Sequence, residues 1–324
     1  MTAAVLERAE RRERLAGLAR RGGASIVLVA VLVIGTGAFG SSFASARNFS
    51  NIALDSSYLV LIGIGMTVVI ISGGIDLSVG SVLAFAGVVM ASVLHKEVPL
   101  PVALAVALGT GLCCGLVNGA LITVGRLPPF IATLGMMSVA RGTALMFTEG
   151  RPVSGFSGGF RSLATGELLG IPVSVVIMVG VYVVAHFVLT RTKLGRYTYA
   201  IGGNEEAALL SGVNVKLYKA AVYGISGMLS GLAAVLLTAR LNSAQPIAGM
   251  MYELDAIAAT VIGGTSLLGG EGTVVGTLIG ALIMAVLRNG LNLLGVPSFV
   301  QQVVIGSVII AAVLIDMWLK RRAG

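Results

Sequence analysis

Charge is what this sequence has least of. Only 11% of its 324 residues are Asp, Glu, Lys or Arg, against about 25% in an ordinary soluble domain, while 56% are apolar. A water-soluble globule of this size has nowhere to hide so much apolar surface. Aromatic residues are also few, at 6%. The formal charge of +8 therefore comes without the stacking platforms that single-stranded nucleic acid requires, and no nucleic-acid partner is expected. Cysteine and histidine number two each. Cys113 and Cys114 are adjacent inside an apolar run, which suits helix packing better than a disulfide, and His95 and His186 are isolated, so no metal-ligand spacing exists. None of the five lysines (96, 193, 216, 219 and 320) follows a glycine, so the chain has no Walker A loop. An EF-hand loop and a His-Glu-x-x-His pair are missing as well. The chain is thus not expected to be an enzyme, to hold catalytic residues, or to bind a cofactor or metal of its own.

What is present reads against a bilayer. Apolar runs such as Ala24 to Ala38 and Val173 to Leu189 are continuous rather than alternating, which excludes a β-barrel and indicates an all-α, polytopic transmembrane bundle. One crossing takes about 20 apolar residues. Spans are predicted near 24–42, 57–72, 79–94, 102–124, 128–147, 171–190, 220–239 and 298–318, with two shorter apolar stretches inside 253–287. Basic residues set orientation. Arg8, Arg11, Arg12, Arg14, Arg20 and Arg21 precede the first run, Arg191, Lys193, Arg196, Lys216 and Lys219 flank the central polar segment, and Lys320, Arg321 and Arg322 close the chain. Placing all three clusters in the cytoplasm requires an even count on each side of residue 191, hence about ten crossings. The organisation is then a basic cytoplasmic segment 1–23, a transmembrane unit 24–319 with a cytoplasmic loop 191–219, and a cytoplasmic tail 320–324. Ala44, Ser45 and Ala46 after an apolar run mimic a signal-peptide cleavage site, but the long leader favours a retained first crossing.

Two glycine-broken regions echo one another. Gly73-Gly74-Ile75-Asp76-Leu77-Ser78-Val79-Gly80 parallels Gly263-Gly264-Thr265-Ser266-Leu267-Leu268-Gly269-Gly270. Further on, Asn118-Gly119 leading to Pro128, Phe130 and Ile131 is matched by Asn289-Gly290 leading to Pro297, Phe299 and Val300, at unequal spacing, so the internal repeat is partial. Such breaks either line a translocation path or pack helices closely through glycine. An ionisable group at membrane depth costs at least a few kcal/mol unless paired or wet. Asp76 is therefore read either as part of a path, with Ser78, Asn118, Asn289 and Asn292, or as a cap for the segment beginning at Leu77. Glu253 and Asp255 have the same capping reading, and Arg141 and Arg288 should have partners.

The one long polar segment on the cytoplasmic side is RTKLGRYTYAIGGNEEAALLSGVNVKLYK, residues 191–219. Asn204 can cap a short helix from Glu205, whose acidic start suits a helix N-terminus, and Gly212 can end it. Its apolar face of Ala208, Leu209 and Leu210 either rests on the inner leaflet or docks a cytoplasmic protein.

Longer stretches carry a family resemblance: SGGIDLSVGS (72–81), PFIATLGMMSVARG (129–142), LGRYTYAIGGNEEAALLSGVNV (194–215), ARLNSAQPIAGMMYELDAIAATVIGGTSLLGG (239–270) and GTLIGALIMAVLRNGLNLLGV (276–296). From about residue 50 to 316 the chain resembles the permease subunits of bacterial ATP-binding-cassette importers for monosaccharides, the ribose-type branch in particular. The resemblance implies a multi-pass protein of the bacterial inner membrane that acts as a homodimer, driven by two cytoplasmic ATP-binding subunits or one fused tandem ATPase, with ATP used by that partner. A soluble extracytoplasmic sugar-binding protein would deliver the substrate and hold most of the selectivity, so few strong sugar contacts are expected here. Gly203, Asn204, Glu205, Glu206, Ala207, Ala208, Ser211 and Gly212 match the coupling loop that docks into the ATPase. At Leu209 relatives often carry a basic residue, which removes an ion pair from that point of the contact. Segments 148–170 and 241–255 would face the binding protein. The competing readings are a proton-coupled sugar transporter working alone through Asp76, and a scaffold that moves no solute.

Overall fold

The computed structural model describes residues 43–321. The expected basic segment 1–23, the crossing at 24–42 and the tail beyond Arg321 lie outside the described residues. Helices dominate, in the order α1 (Ala46–Ile71), α2 (Val79–Leu94), α3 (Leu100–Thr123), α4 (Pro129–Thr148), α5 (Gly158–Thr165), α6 (Val173–Arg191), α7 (Lys193–Gly203), α8 (Glu205–Leu210), α9 (Val215–Leu241), α10 (Tyr252–Ile262), α11 (Val274–Leu293) and α12 (Ser298–Arg321). Four two-residue strands join them: β1 (Val153–Ser154), β2 (Glu167–Leu168), β3 (Ile171–Pro172) and β4 (Ser243–Ala244), paired antiparallel as β1 with β4 and β2 with β3. Among the described residues six helices are long and apolar enough to cross a membrane (α1, α3, α4, α6, α9 and α11), and α2 is a shorter apolar helix of 16 residues.

Most predicted spans lie within a few residues of these helices, and α1 is the exception. It starts at Ala46 rather than 57, because its first turns carry Asn48, Asp55 and Ser56, which a count of apolar residues passes over. Each finds a partner inside the protein. Ser45 caps the helix by accepting from the Asn48 amide at 3.2 Å, Ser56 Oγ donates to the Ile52 carbonyl at 2.6 Å, and Asp55 pairs with Arg240 at 2.8 Å. At 26 residues α1 is about 39 Å long by helical rise, enough to span the hydrocarbon layer.

Position in the bundle follows from residue size. α1 and α9 form the interior, while α4 and α6 keep most of their apolar side chains on the outside, where lipid is the solvent. Glycine brings α3 and α9 together: Gly111, Gly115 and Gly119 recur every four residues on α3, and a methyl group on any of them would collide with the α9 backbone at Gly227, Tyr223 or Ala220. Lipid offers no hydrophobic force between helices, so such backbone approach and its dispersion contacts supply the adhesion. Gly276 and Gly280 of α11 meet Gly263 and Ala259 of α10 in the same way. Between α1 and α11, the hydroxyls of Thr67 and Thr277 hydrogen-bond across a fully buried contact.

Candidate functional site

The polar loop between α6 and α9 is built as its sequence suggests. Asn204 accepts the Ala207 amide through Oδ1 at 2.9 Å, and Glu205 and Glu206 lie in the first turn of α8. Gly212, at φ +81°, provides the left-handed turn that sends the chain into α9, where a side chain would be strained. Ala208, Leu209 and Leu210 do not share one face, however. Three consecutive helical residues point about 100° apart, so Ala208 turns inward against Ile201 and Val215 while Leu209 and Leu210 stay 62% and 88% exposed. Glu205 is held by an ion pair with Lys219, leaving Glu206 and the two leucines as the projecting groups.

The preceding helix, α7, connects this projection to both glycine breaks. Gly202 sits where the Ile71 carbonyl ending α1 accepts the Gly270 amide at 2.9 Å, and a methyl group on Gly202 would strike both. Gly269, at φ +86°, packs its backbone on Gly73 and Gly202. One turn earlier on α7, Tyr199 donates through its phenol to the Gly272 carbonyl at 2.6 Å, and burial pushes that phenol up from its ordinary value. The two breaks therefore converge on one joint. Gly80, Gly263, Gly269 and Gly270 serve close backbone contact, whereas Gly74 makes room for the Tyr223 side chain.

Asp76 lies beside that joint but is sealed, only 1% exposed. Its Oδ1 accepts from the Ser78 amide at 3.0 Å and the Ser78 hydroxyl at 2.6 Å, and its Oδ2 from Ser226 of α9 at 2.8 Å. Asn118 of α3 donates to Ser78 Oγ at 2.9 Å, and Thr133 of α4 to the Ile75 carbonyl. The carboxylate thus turns the chain into α2 and ties that turn to α9, while Ser78 and the Ile75 carbonyl extend the network to α3 and α4, without the carboxylate capping deeper amides of α2.

Asn289 and Asn292 are elsewhere. Asn289 exchanges two hydrogen bonds with Asn48 at the start of α1, at 2.8 and 3.0 Å, whereas Asn118 works near the α1 terminus at Ile71. The extra helix α2 accounts for the unequal spacing of the repeat and places the two asparagines toward opposite ends of the bundle. Asn292 accepts from Gln301 of α12 at 2.8 Å. Beside these amides a small crevice of about 30 Å³ opens between α1, α10 and α11, lined among others by Asp55, Tyr58, Tyr252, Asp255 and Arg288. Asp255 is 3% exposed and pairs with Arg288 at 2.7 Å, so its role is an ion pair rather than the expected cap. Arg141 donates to the Pro246 and Ala248 carbonyls, both at 2.7 Å.

Residues 48–313 match the family described as "Branched-chain amino acid transport system / permease component". The chain belongs to this permease family. It is 47% identical to the ribose import permease protein of Haemophilus influenzae, over 91% of this chain and 92% of the relative. Identity to the ribose import permease proteins of Escherichia coli K12 and Bacillus subtilis 168 is 48% and 49%, covering 90% and 88% of this chain and 92% and 89% of theirs. The D-allose transport system permease protein of Escherichia coli K12 is 41% identical over 90% of this chain and 91% of its own. No solved structure matches.

In the permease the two loops expected to face outward meet. β1 and β4 pair Val153 with Ala244 and Ser154 with Ser243, and Asn242 Oδ1 accepts the Phe156 amide at 3.1 Å. The adjoining β2–β3 hairpin carries Leu169, 96% exposed, at its turn. Sequence reasoning missed Tyr199 and Gly202, the crevice tyrosines and Asp55. The first two sit within a quoted stretch, and their aromatic and glycine types are the only signal they carry. Tyr58 and Asp55 pair with residues nearly 200 positions away, which no local pattern reveals.

Proposed function

We propose that this permease is the transmembrane subunit of an ATP-driven importer of ribose or a closely related monosaccharide. Near 48% identity to ribose import permeases along nine-tenths of the chain is the observation that carries the substrate class. Hydrolysis belongs to a separate ATPase, since the chain lacks a Walker A loop, and a soluble binding protein would deliver sugar to the paired loops around β1 and β4. In this reading α1–α4, α6 and α9–α12 each pass through the bilayer and, with the run at 24–42, make ten passages that leave both termini in the cytoplasm of a bacterial inner membrane. The working unit is a homodimer with two ATP-binding subunits or one fused tandem ATPase.

In this reading Gly203, Asn204, Glu205, Glu206, Ala207, Ala208, Ser211 and Gly212 form the coupling loop, with Leu209 and Leu210 entering an apolar recess of the ATPase. Displacing α7 moves both breaks together through Gly202 and Tyr199, so docking and path are linked by backbone contact rather than by a flexible tether. Alternating access is a shift between two packings of the bundle. Asp76, Ser78 and Asn118 stabilise the hinge side of the path, and Asn289 and Asn292 line its other end.

Proteoliposomes containing the permease, its ATPase and binding protein should accumulate ribose only with ATP. The variant Leu209→Ser/Leu210→Ser should cut uptake at least tenfold while melting like the parent. Uptake by the permease alone, driven by a pH gradient, would establish the proton-coupled alternative instead.

A further inference from the structure

We infer that the groove between α6 and the wall formed by α1, α3 and α9 seats one acyl chain of an anionic phospholipid, whose phosphate is held by Arg191 and Lys193 at the corner between α6 and α7. Only its placement in the inner leaflet rests on the orientation proposed above.

The groove is long, apolar and roomy. Along α6, Ile177, Val181, Val184 and Val188 recur at intervals of four, three and four residues, so they form one stripe. Facing them are Ile64 and Val68 of α1, Leu108 of α3, and Met228 and Leu232 of α9. The space measures about 530 Å³, more than three times the ~150 Å³ apolar cavity that admits a benzene ring. Every lining side chain is apolar, so neither water nor a sugar finds a hydrogen bond there. Val184 is 61% exposed, which opens the groove on the face of α6 turned to lipid. Gly180 leaves further room, since a methyl group there would meet nothing within 4 Å.

Length and charge name the occupant. From Ile177 to Val188 the stripe runs about 17 Å by helical rise. That is about half of the ~30 Å hydrocarbon layer, the depth of one leaflet and so the reach of one acyl chain. The end at Val188, Leu189 and Leu194 is the charged one. Arg191 follows Val188 by three residues and continues the stripe, and Lys193 directly precedes Leu194. Both are exposed, and among the described residues neither has an acidic partner. Residues 191–219 hold only the acids Glu205 and Glu206, and Glu205 is taken by Lys219. Two uncompensated cations at the mouth of an apolar slot one leaflet deep match a phosphodiester head on a hydrocarbon tail. An apolar helix in the slot would cover its walls and leave those cations unpaired. Phe43, where the described chain begins, is buried against Ala285 and Val286 of α11, a helix that does not line the groove. A seated chain would brace α6 against α9 at the start of α7, the helix that carries Gly202.

Native mass spectrometry of the purified full-length permease, stripped of lipid and then offered equal phosphatidylglycerol and chain-matched phosphatidylcholine, reads occupancy and subunit count together. At roughly fivefold for each cation near the surface, phosphatidylglycerol should be retained at least tenfold over phosphatidylcholine. Arg191→Gln/Lys193→Gln should cut that preference to about twofold. Gly180→Leu, which fills the groove from within, should abolish retention and the rise in melting temperature that phosphatidylglycerol gives the parent. Equal retention of the two lipids by the parent overturns the site, and so does a preference that survives Arg191→Gln/Lys193→Gln. That exposed pair decides the matter by itself if Gly180→Leu does not fold. A Gly180→Leu protein that melts lower with its lipid retention unchanged would show the groove filled by protein, and also overturns the site. The filler is then a second copy if the variant runs as single chains, and residues 24–42 if it does not. Retention is read without ATPase or sugar, so failed ribose import beside intact lipid preference counts against the importer reading alone. Import without lipid preference counts against the lipid site alone.

Discussion

Asp76 and Asp255 are both carboxylates at membrane depth, 1% and 3% exposed, yet the bundle treats them oppositely. Asp76 receives only neutral donors, two from Ser78 and one from Ser226, and is closed on every side by packed helices. Asp255 faces a guanidinium that is itself 39% exposed, beside a small crevice. A carboxylate surrounded by serine donors fixes backbone, whereas one paired with a partly wet arginine sets an ion pair at the edge of the bundle. Burial alone therefore does not distinguish the two; the identity and wetness of the partner does.

The largest effect should come from breaking the charged pair. Asp255→Ala leaves Arg288 unpaired and should cost about 2–3 kcal/mol, short of the ~3–5 kcal/mol of a fully buried pair because the guanidinium reaches water. A thermal melt in detergent reads this, and Asp255→Ala/Arg288→Met should regain most of the loss. A double variant no better than the single one would show that the ion pair is not the source. Asp76→Leu comes next. It strands three donors, and at the roughly 0.6 kcal/mol typical of hydrogen bonds between membrane helices it should cost about 2 kcal/mol, with ATPase coupling falling as the joint loosens.

Asp76→Asn should be the mildest. It keeps one oxygen toward Ser78 and turns an amide toward Ser226, whose hydroxyl can accept, so stability should hold within about 1 kcal/mol and uptake within twofold. Loss of uptake in a variant that melts normally would return Asp76 to a proton-carrying role and erase the contrast with Asp255.

Local features were legible wherever their cause is local. The Asn204 cap and Gly212 stop of α8 were readable because capping involves neighbours three or four residues away, and the spans followed from continuous apolar runs. The start of α1 was not, since Asn48 and Asp55 are tolerated only through Asn289 and Arg240, far along the chain. The outward turn of Leu209 and Leu210 depended on which side of α8 rests on Ile201 and Val215.

The sequence by itself determined that this is a helical membrane protein and that it carries no Walker A loop, because hydropathy and motifs are properties of composition and order. It also marked the two glycine breaks and the polar loop between α6 and α9. Only the tertiary structure decided that both breaks and that loop meet at Gly202, and that Asp76 is sealed while Asp255 borders a small crevice. Those outcomes depend on which distant backbones approach within a methyl group of each other, and that distance is set by the packed bundle rather than by any segment alone.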